Sequence, residues 1–274
     1  VTIPNFIKHY NSDLYGASVG DTLPLDALKW KGHIVQPFDP KITKLNGAQS
    51  EAKIEDVPAQ VDYLQKEILT TYKGKIDMEN DWKMLTILIG ANNICPSCYN
   101  RSYSQPEYYE QYLHTILTKV STQIPRTFVN ILPMFSIAQV YDIADKSLYC
   151  MTMWDTILKS ECGCMTDKST PEKRAIMDKT GKEFNQVIYN VAAKWQAKNM
   201  ANFTVKVQPF TQDLIIPNIN YISEFDCFHP SAISDEAMAI ALWNNMMTPQ
   251  KQKKHDMDPS DLKIKCPTAD QFFQ

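Results

Sequence analysis

Two hydrophobic periodicities alternate along the chain. Apolar residues recur every three to four positions in several long segments, which is the pattern of amphipathic helices. These segments are Val57–Tyr72, Pro106–Ser121, Lys173–Lys198 and Ile233–Met246. Between them lie short runs of mostly consecutive apolar residues, which are typical of buried strands. These runs are Asp81–Gly90, Phe128–Phe135 and Phe203–Phe210.

The alternation predicts an α/β fold. Strands joined by long helices form right-handed crossovers, and these build a mainly parallel sheet with helices on both faces. The chain has no internal repeat, low-complexity tract or Gly/Ser linker that would divide it. We therefore expect residues 1–274 to form a single domain, a three-layer sandwich around a mainly parallel central sheet. Its site should lie beyond the carboxyl ends of the strands.

Charge and hydropathy argue against two classes of protein. A net charge of −3 and a pI near 6.0 disfavour a nucleic-acid partner, because phosphate binding needs a dense basic surface. No stretch reaches the ~18 to 20 consecutive apolar residues that a membrane span requires. The chain begins at Val1 with neither an initiator Met nor a leader sequence. We therefore expect it to be N-terminally incomplete, with any signal peptide upstream.

Seven cysteines leave two chemistries open. Cys95-Pro-Ser-Cys98 and Cys162-Gly-Cys164 have spacings that zinc ligands can adopt, but no His lies close by in sequence to complete a usual zinc pattern. Two N-glycosylation sequons, at Asn100 and Asn202, favour a secretory route, in which disulfides form. We expect three disulfides among six of the seven cysteines, with the last one free or paired to an upstream segment.

Two polar segments carry candidate chemistry. Gly90-Ala-Asn-Asn93 directly follows a predicted strand, where glycine allows a sharp turn and an Asn can aim its amide at a ligand oxygen. Asp226-Cys-Phe-His229 precedes the last predicted helix. A carboxylate three residues before a His can fix the imidazole tautomer and leave the other ring nitrogen free as a base. The alternative for both segments is a plain turn, since Gly, Asn and Asp are common turn residues.

Taken together, the two segments resemble the SGNH (GDSL) hydrolase superfamily. Five collinear segments are similar to the animal phospholipase B branch, and the resemblance extends from about Ile3 to Cys266. They are Asp81–Gly90, Asn93-Ile-Cys-Pro-Ser-Cys98, Val207-Gln-Pro-Phe210, Asp226-Cys-Phe-His229 and Ala241-Leu-Trp-Asn-Asn-Met246. The resemblance implies the flavodoxin-like sandwich of that superfamily.

The resemblance also assigns roles to single residues. It implies that His229 is the general base and then acid, and that Asp226 orients it. Asn92 would donate its side-chain amide to an oxyanion, and Gly47, within Leu45-Asn-Gly-Ala48, would donate its backbone N–H, unless it is an ordinary loop glycine. Asn93 stands where the family usually has Asp, a residue that we expect to support the loop.

The family's GDS(L) block, with the nucleophilic serine, is missing from the matched residues. In this branch it lies upstream of the region where the chain begins. Gly20-Asp-Thr-Leu23 is a lookalike with Thr22 in the serine's place and Ser18 nearby. The preceding segment, Asn11–Ser18, is not apolar enough for the buried strand that should present a nucleophile. We therefore expect the serine and its central strand to come from an upstream segment.

The implied function is hydrolysis of phospholipid or lysophospholipid acyl esters through an acyl-enzyme, with no metal or organic cofactor. The implied partners are the lipid, the upstream segment that carries the nucleophile, and a peripheral contact with a membrane. We expect the protein to be secreted or in the secretory-pathway lumen and glycosylated at Asn100 and Asn202. An inactive member that serves as a structural or binding protein, and a carbohydrate esterase, remain alternatives.

Overall fold

The centre of the fold is a small parallel sheet. A computed structural model describes residues 1–20, 38–259, 262–268 and 270–274. Within these ranges the sheet has the order β1–β2–β3, formed by Lys83–Ile87 (β1), Thr127–Ile131 (β2) and Phe203–Val207 (β3). Both strand pairs are parallel. The prediction of an α/β fold with a parallel sheet is confirmed.

The strands are shorter than the apolar runs that predicted them. Two of the runs contain a proline just past the end of the strand, Pro133 after β2 and Pro209 after β3. Proline has no N–H to donate to a sheet, so the regular ladder ends there. The apolar residues beyond each proline therefore pack in loops above the carboxyl edge of the sheet.

Helices surround the sheet. In the described ranges they are α1 (Ile3–Tyr10), α2 (Pro40–Thr43), α3 (Val57–Leu69), α4 (Ala91–Ile94), α5 (Pro106–Gln123), α6 (Gln139–Ala144), α7 (Leu148–Thr156), α8 (Gly163–Thr166), α9 (Pro171–Gln196) and α10 (Ala232–Met246). The four helices predicted from periodicity correspond to α3, α5, α9 and α10. Both α5 and α9 begin with proline at the first helical position, where its missing N–H costs nothing.

Two apolar cores lie on the two faces of the sheet. Val129 of β2 belongs to the larger core, which α3, α5 and α9 cover. The neighbouring Asn130 points the other way, and its amide lies 3.3 Å from the sulfur of Met246 in α10. Phe6 of α1 stacks on Trp243 of α10 in this second core, with ring centroids 5.2 Å apart. Helices therefore cover both faces.

Strand β1 is an edge strand of the described sheet. It pairs with β2 on one side and with no other strand of the described ranges. Trp82 and Leu88, which flank β1, are about half exposed. The carboxyl end of β1 thus lies at one side of the described sheet, next to the turn Gly90–Asn93.

Three disulfides hold the loops above the sheet. They join Cys95 to Cys162, Cys98 to Cys164, and Cys150 to Cys227. Cys266 is exposed and has no disulfide partner in the described part of the chain. The expected three disulfides are therefore confirmed, and the zinc alternative for the first two pairs is wrong because their thiols bond to one another.

Candidate active site

His229 and Asp226 lie in one tight loop before α10. His229 Nδ1 is 2.8 Å from Asp226 Oδ2, while Asp226 Oδ1 accepts the backbone N–H groups of Phe228 (2.9 Å) and His229 (3.0 Å). Between them Cys227 has a φ of +57°, a left-handed conformation that residues other than glycine and asparagine rarely adopt. This backbone turn lets one carboxylate hold both the loop and the imidazole.

Long-range contacts fix the loop in place. The backbone N–H of Ser223 donates to His229 O at 2.8 Å, and the indole N–H of the buried Trp154 donates to Asp226 O at 3.0 Å. The Cys150–Cys227 disulfide ties the strained residue to α7. The Asp–His pair is therefore anchored by a helix that lies some 70 residues away in sequence.

The electrostatics of the pair favour an ionised Asp226 carboxylate and stabilise the protonated imidazole of His229. The hydrogen bond that His229 Nδ1–H donates to Asp226 raises the pKa of His229 more than burial lowers it, so that pKa lies above its ordinary value. Burial raises the pKa of the Asp226 carboxyl, but the hydrogen bonds from His229 and the loop backbone outweigh it, and the net shift is downward. The His229 side chain is 60% exposed, and its Nε2 has no hydrogen-bond partner among the described residues.

The turn after β1 is built around Gly90. Its φ is +129°, and a Cβ there would come within 3.1 Å of the Tyr109 ring, so both backbone and space require glycine. The turn places Asn92 at the start of α4, where its Nδ2 donates to Ala52 O at 3.0 Å. An amide nitrogen carries two hydrogens, so one donor of Asn92 remains for a ligand.

Asn93 has a different surrounding from Asn92. It is fully buried, and its Oδ1 accepts the backbone N–H of Ile54 at 2.9 Å. Its Nδ2 donates to Glu55 Oε2 at 3.1 Å and to Tyr103 O at 2.9 Å. The side chain thus joins its own turn to two other segments, one at Ile54 and Glu55 and one at Tyr103. An aspartate could not make the two donations of the amide nitrogen.

Two further residues considered from the sequence are described by the structure: Gly47, in the loop before α3, and Ser18, near the start of the chain. Gly47 packs against Gln60 and Leu64 of α3, and no described residue accepts its N–H. It is five residues from Ala52, the hydrogen-bond partner of Asn92. Ser18 donates to Thr43 O at 3.2 Å and makes no hydrogen bond to His229. Thr22 lies outside the described residues.

Comparison with known proteins identifies the family of the chain. Residues 7–242 match the family described as GDSL-like Lipase/Acylhydrolase. The chain belongs to this family. It is also 28% identical over 278 residues to "Phospholipase B1, membrane-associated" of Homo sapiens, covering 98% of the chain and 17% of that relative. The protein of the same name from Mus musculus is 27% identical, covering 99% of the chain and 17% of that relative.

The chain thus spans about a sixth of the length of the curated relatives that it matches. The family match contains both candidate segments, from the Gly90–Asn93 turn to the loop of Asp226 and His229. Among the described helices, none is both long and apolar enough to cross a membrane.

Sequence reasoning about the GDSL motifs missed one residue of the site, Glu161. Its Oε1 lies 3.7 Å from His229 Nδ1. Burial raises the pKa of Glu161 above its ordinary value, against the opposite effect of His229. No sequence motif marks Glu161. The one feature of the sequence that could have pointed to it is the adjacent Cys162, because the Cys95–Cys162 disulfide joins the loop of Glu161 to the Asn92 turn.

Proposed function

We propose that this site hydrolyses acyl esters of phospholipids or lysophospholipids, as a serine hydrolase of the phospholipase B type. The observation that carries the proposal is the 2.8 Å contact between His229 Nδ1 and Asp226 Oδ2, with the other ring nitrogen directed away from that pair. This is the geometry of a base whose tautomer a carboxylate holds. Family membership supplies the reaction class, acyl transfer to water.

The proposed mechanism has two half-reactions. His229 takes the proton of the serine hydroxyl as the oxygen attacks the ester carbonyl, and then gives that proton to the leaving alcohol. Water, deprotonated by His229, then attacks the acyl carbonyl, and the imidazole returns that proton to the departing serine oxygen, which releases the fatty acid and restores the serine hydroxyl. The free hydrogen of Asn92 Nδ2 and the N–H of Gly47 stabilise the oxyanion in both steps, and losing one such donor typically costs about 10²–10³ in rate.

A mainly apolar cleft next to the loop that carries the base supports a lipid substrate over a carbohydrate ester. It has a volume of about 280 Å³; its apolar lining includes Tyr149, Ile219, Ile222 and the Cys150–Cys227 disulfide, and Ser147 and Glu224 are polar lining residues. Ser223, which also lines it, is the residue that bonds to His229 O.

The rim of this cleft is apolar as well. Leu148 precedes Tyr149 and is 85% exposed, and Phe225 is 55% exposed in the loop of Asp226. Both residues adjoin lining residues of the cleft in sequence, and exposed apolar side chains next to a cleft are typical of interaction surfaces. We propose that this rim contacts the lipid aggregate from which the substrate is drawn.

The serine itself is proposed to come from an upstream segment. The resemblance to the phospholipase B branch implies that the family block containing it lies upstream of the segments found in this chain. The flank of β1 that does not pair with β2 in the described sheet suits a further parallel strand, whose carboxyl end would meet the Asn92 turn. The three disulfides favour an oxidising, extracellular or secretory compartment, and glycosylation at the exposed Asn100 and Asn202 is part of the same proposal.

A covalent probe tests the proposal. The protein with its native N-terminal sequence is incubated with a fluorophosphonate, the labelled peptide is mapped by mass spectrometry, and lysophosphatidylcholine hydrolysis is followed in parallel. We expect a label on a serine upstream of Val1, and both labelling and hydrolysis should disappear in His229→Ala. His255→Ala is the matched control, because His255 Nδ1 is also near a carboxylate (4.0 Å from Asp213 Oδ2) but outside this site.

Each other outcome decides between the alternatives. A label on a serine within residues 1–274 would overturn the upstream nucleophile. Neither label nor turnover in the complete protein would identify an inactive family member. Turnover of acetylated sugars without turnover of the lysolipid would favour the carbohydrate esterase.

A further inference from the structure

A second carboxylate faces the imidazole on the same side as Asp226. Glu161 Oε1 is 3.7 Å from His229 Nδ1, and the Glu161 side chain is only 25% exposed. The distance is too long for a hydrogen bond but close enough for a strong charge interaction. Asp226 Oδ2, at 2.8 Å, holds the Nδ1 proton. Asp226 therefore acts on Nδ1 through a hydrogen bond, and Glu161 acts on it through its charge.

The position of Glu161 is built by long-range covalent and hydrogen bonds. Cys162, the next residue, is completely buried and bonded to Cys95. Cys164 donates its N–H to Cys95 O at 2.9 Å, and Thr166 accepts the N–H of Cys162 at 3.1 Å. A surface loop with this many ties holds its side chains in a defined place, so the approach of Glu161 to His229 belongs to the folded architecture.

The same ties connect Glu161 to the other half of the site. Cys95 ends α4, the helix that begins at the Asn92 turn. Glu51, beside the Ala52 carbonyl that Asn92 binds, acts electrostatically on Glu161. The Cys95–Cys162 disulfide thus links the turn of the proposed oxyanion donor Asn92 to the loop that places Glu161 next to the proposed base.

We infer that Glu161 is a positioning residue for His229: a second carboxylate that stabilises the imidazolium and keeps the proton on Nδ1. In the reaction, the imidazole becomes positively charged when it takes the serine proton, and a carboxylate at 3.7 Å favours that state. When Asp226 is removed, Glu161 is the carboxylate next closest to Nδ1. The catalytic consequence rests on the proposed function, but the interaction with the imidazole does not.

Three carboxylates act on the imidazole of His229. Asp226 and Glu161 lie on its Nδ1 side, and Asp235 of α10 acts from further away. Glu161 in turn is influenced by His229, Asp226 and Glu51. The charged groups of the described residues that act on the imidazole are these three carboxylates, so removing any one of them should lower the pKa of His229.

The test is a titration of the His229 ring in the complete protein, followed by NMR on histidine labelled with ¹³C in the ring. The variant Glu161→Gln keeps the size of the side chain and removes its charge. We expect the pKa of His229 to fall by about one unit, as loss of one close opposite charge predicts. Glu236→Gln is the control, since Glu236 neighbours Asp235 on α10 but is not among the groups that act on His229.

A double-mutant cycle extends the test. In Asp226→Asn, Glu161 should still bias the imidazole, so adding Glu161→Gln should lower the pKa further and reduce kcat/KM at least tenfold beyond the single variant. The pH profile of kcat/KM in Glu161→Gln should move to lower pH with the NMR value. A merely structural residue would lower activity without moving either one.

The outcomes separate this inference from the proposed function. An unchanged His229 pKa in a folded Glu161→Gln would overturn the role of Glu161, whether or not the protein hydrolyses lipid. A lowered pKa in a protein that turns over no ester would confirm the contact and reject the hydrolase. Circular dichroism of both variants checks that the fold is intact.

Discussion

The buried amide of Asn93 offers a sharp test of how this chain departs from its family. The family usually has aspartate here, so Asn93→Asp restores the common residue with almost no change in shape. In this chain, however, Nδ2 of Asn93 donates to the Glu55 carboxylate and to Tyr103 O. An aspartate would lose both donations and place a second carboxylate about 3 Å from Glu55.

The magnitude follows from the two contacts. A hydrogen bond to a charged group contributes about 1.5–3 kcal/mol and a neutral one about 1 kcal/mol, so the loss is about 2.5–4 kcal/mol at pH 7. The alternative for the protein is to keep the introduced carboxyl group protonated. With an unfolded pKa of about 3.9, this costs about 4 kcal/mol at pH 7 and about 1.5 kcal/mol at pH 5. Both routes therefore predict strong destabilisation at neutral pH.

The sign of the pH dependence also follows. Burial and the Glu55 carboxylate would raise the folded-state pKa of the introduced aspartate above its unfolded value. The neutral acid is then favoured by folding, so the variant is most stable below about pH 4 and loses stability as the pH rises towards 7. The wild-type amide does not titrate, so the difference between the two proteins should grow with pH.

Urea unfolding at pH 5 and pH 7 measures both quantities. Asn190→Asp, an exposed position in α9, is the matched control and should change stability by less than about 0.5 kcal/mol. Adding Glu55→Gln to Asn93→Asp should recover at least half of the loss, because the glutamine amide can donate to the new carboxylate. If Asn93→Asp is as stable as wild type at pH 7, or if Glu55→Gln recovers nothing, the account of this contact is wrong.

Three further predictions concern the candidate site. Replacing both Cys150 and Cys227 by Ser should destabilise the fold by about 4.5 kcal/mol, the chain-entropy value for a loop closed over 77 residues, as measured by denaturant unfolding. Ester hydrolysis should rise with pH through a half-point above 6.5, because the base must be neutral and the pKa of His229 is raised. Asp226→Asn should move this half-point to lower pH and reduce kcat, and a pH–rate profile with an unmoved half-point would contradict this. Phe225→Ser should weaken binding to phosphatidylcholine vesicles in a sedimentation assay while leaving hydrolysis of a short, monomeric ester within twofold, and equal loss of both would place Phe225 elsewhere than at a lipid surface.

The sequence by itself determined the features that depend on local periodicity and short spacing. Four helices and three strands follow from which side chains must be buried, and an α/β fold follows from their order. The contact of Asp226 with His229 joins residues only three apart, so the motif nearly contains its own geometry. Gly90 could likewise be placed at a turn, since few other residues adopt its backbone conformation.

Only the tertiary structure decided which distant residues complete these local features. Spacing indicated disulfides but not their pairing, which closes loops of 66 to 77 residues. Asn92 and Asn93 are adjacent and chemically identical, yet one keeps a free donor and the other is buried between three segments. Glu161 carries no motif at all and lies near His229 in a loop that the Cys95–Cys162 disulfide joins to the Asn92 turn. Such contacts arise from the packing of segments far apart in sequence, and no local pattern encodes them.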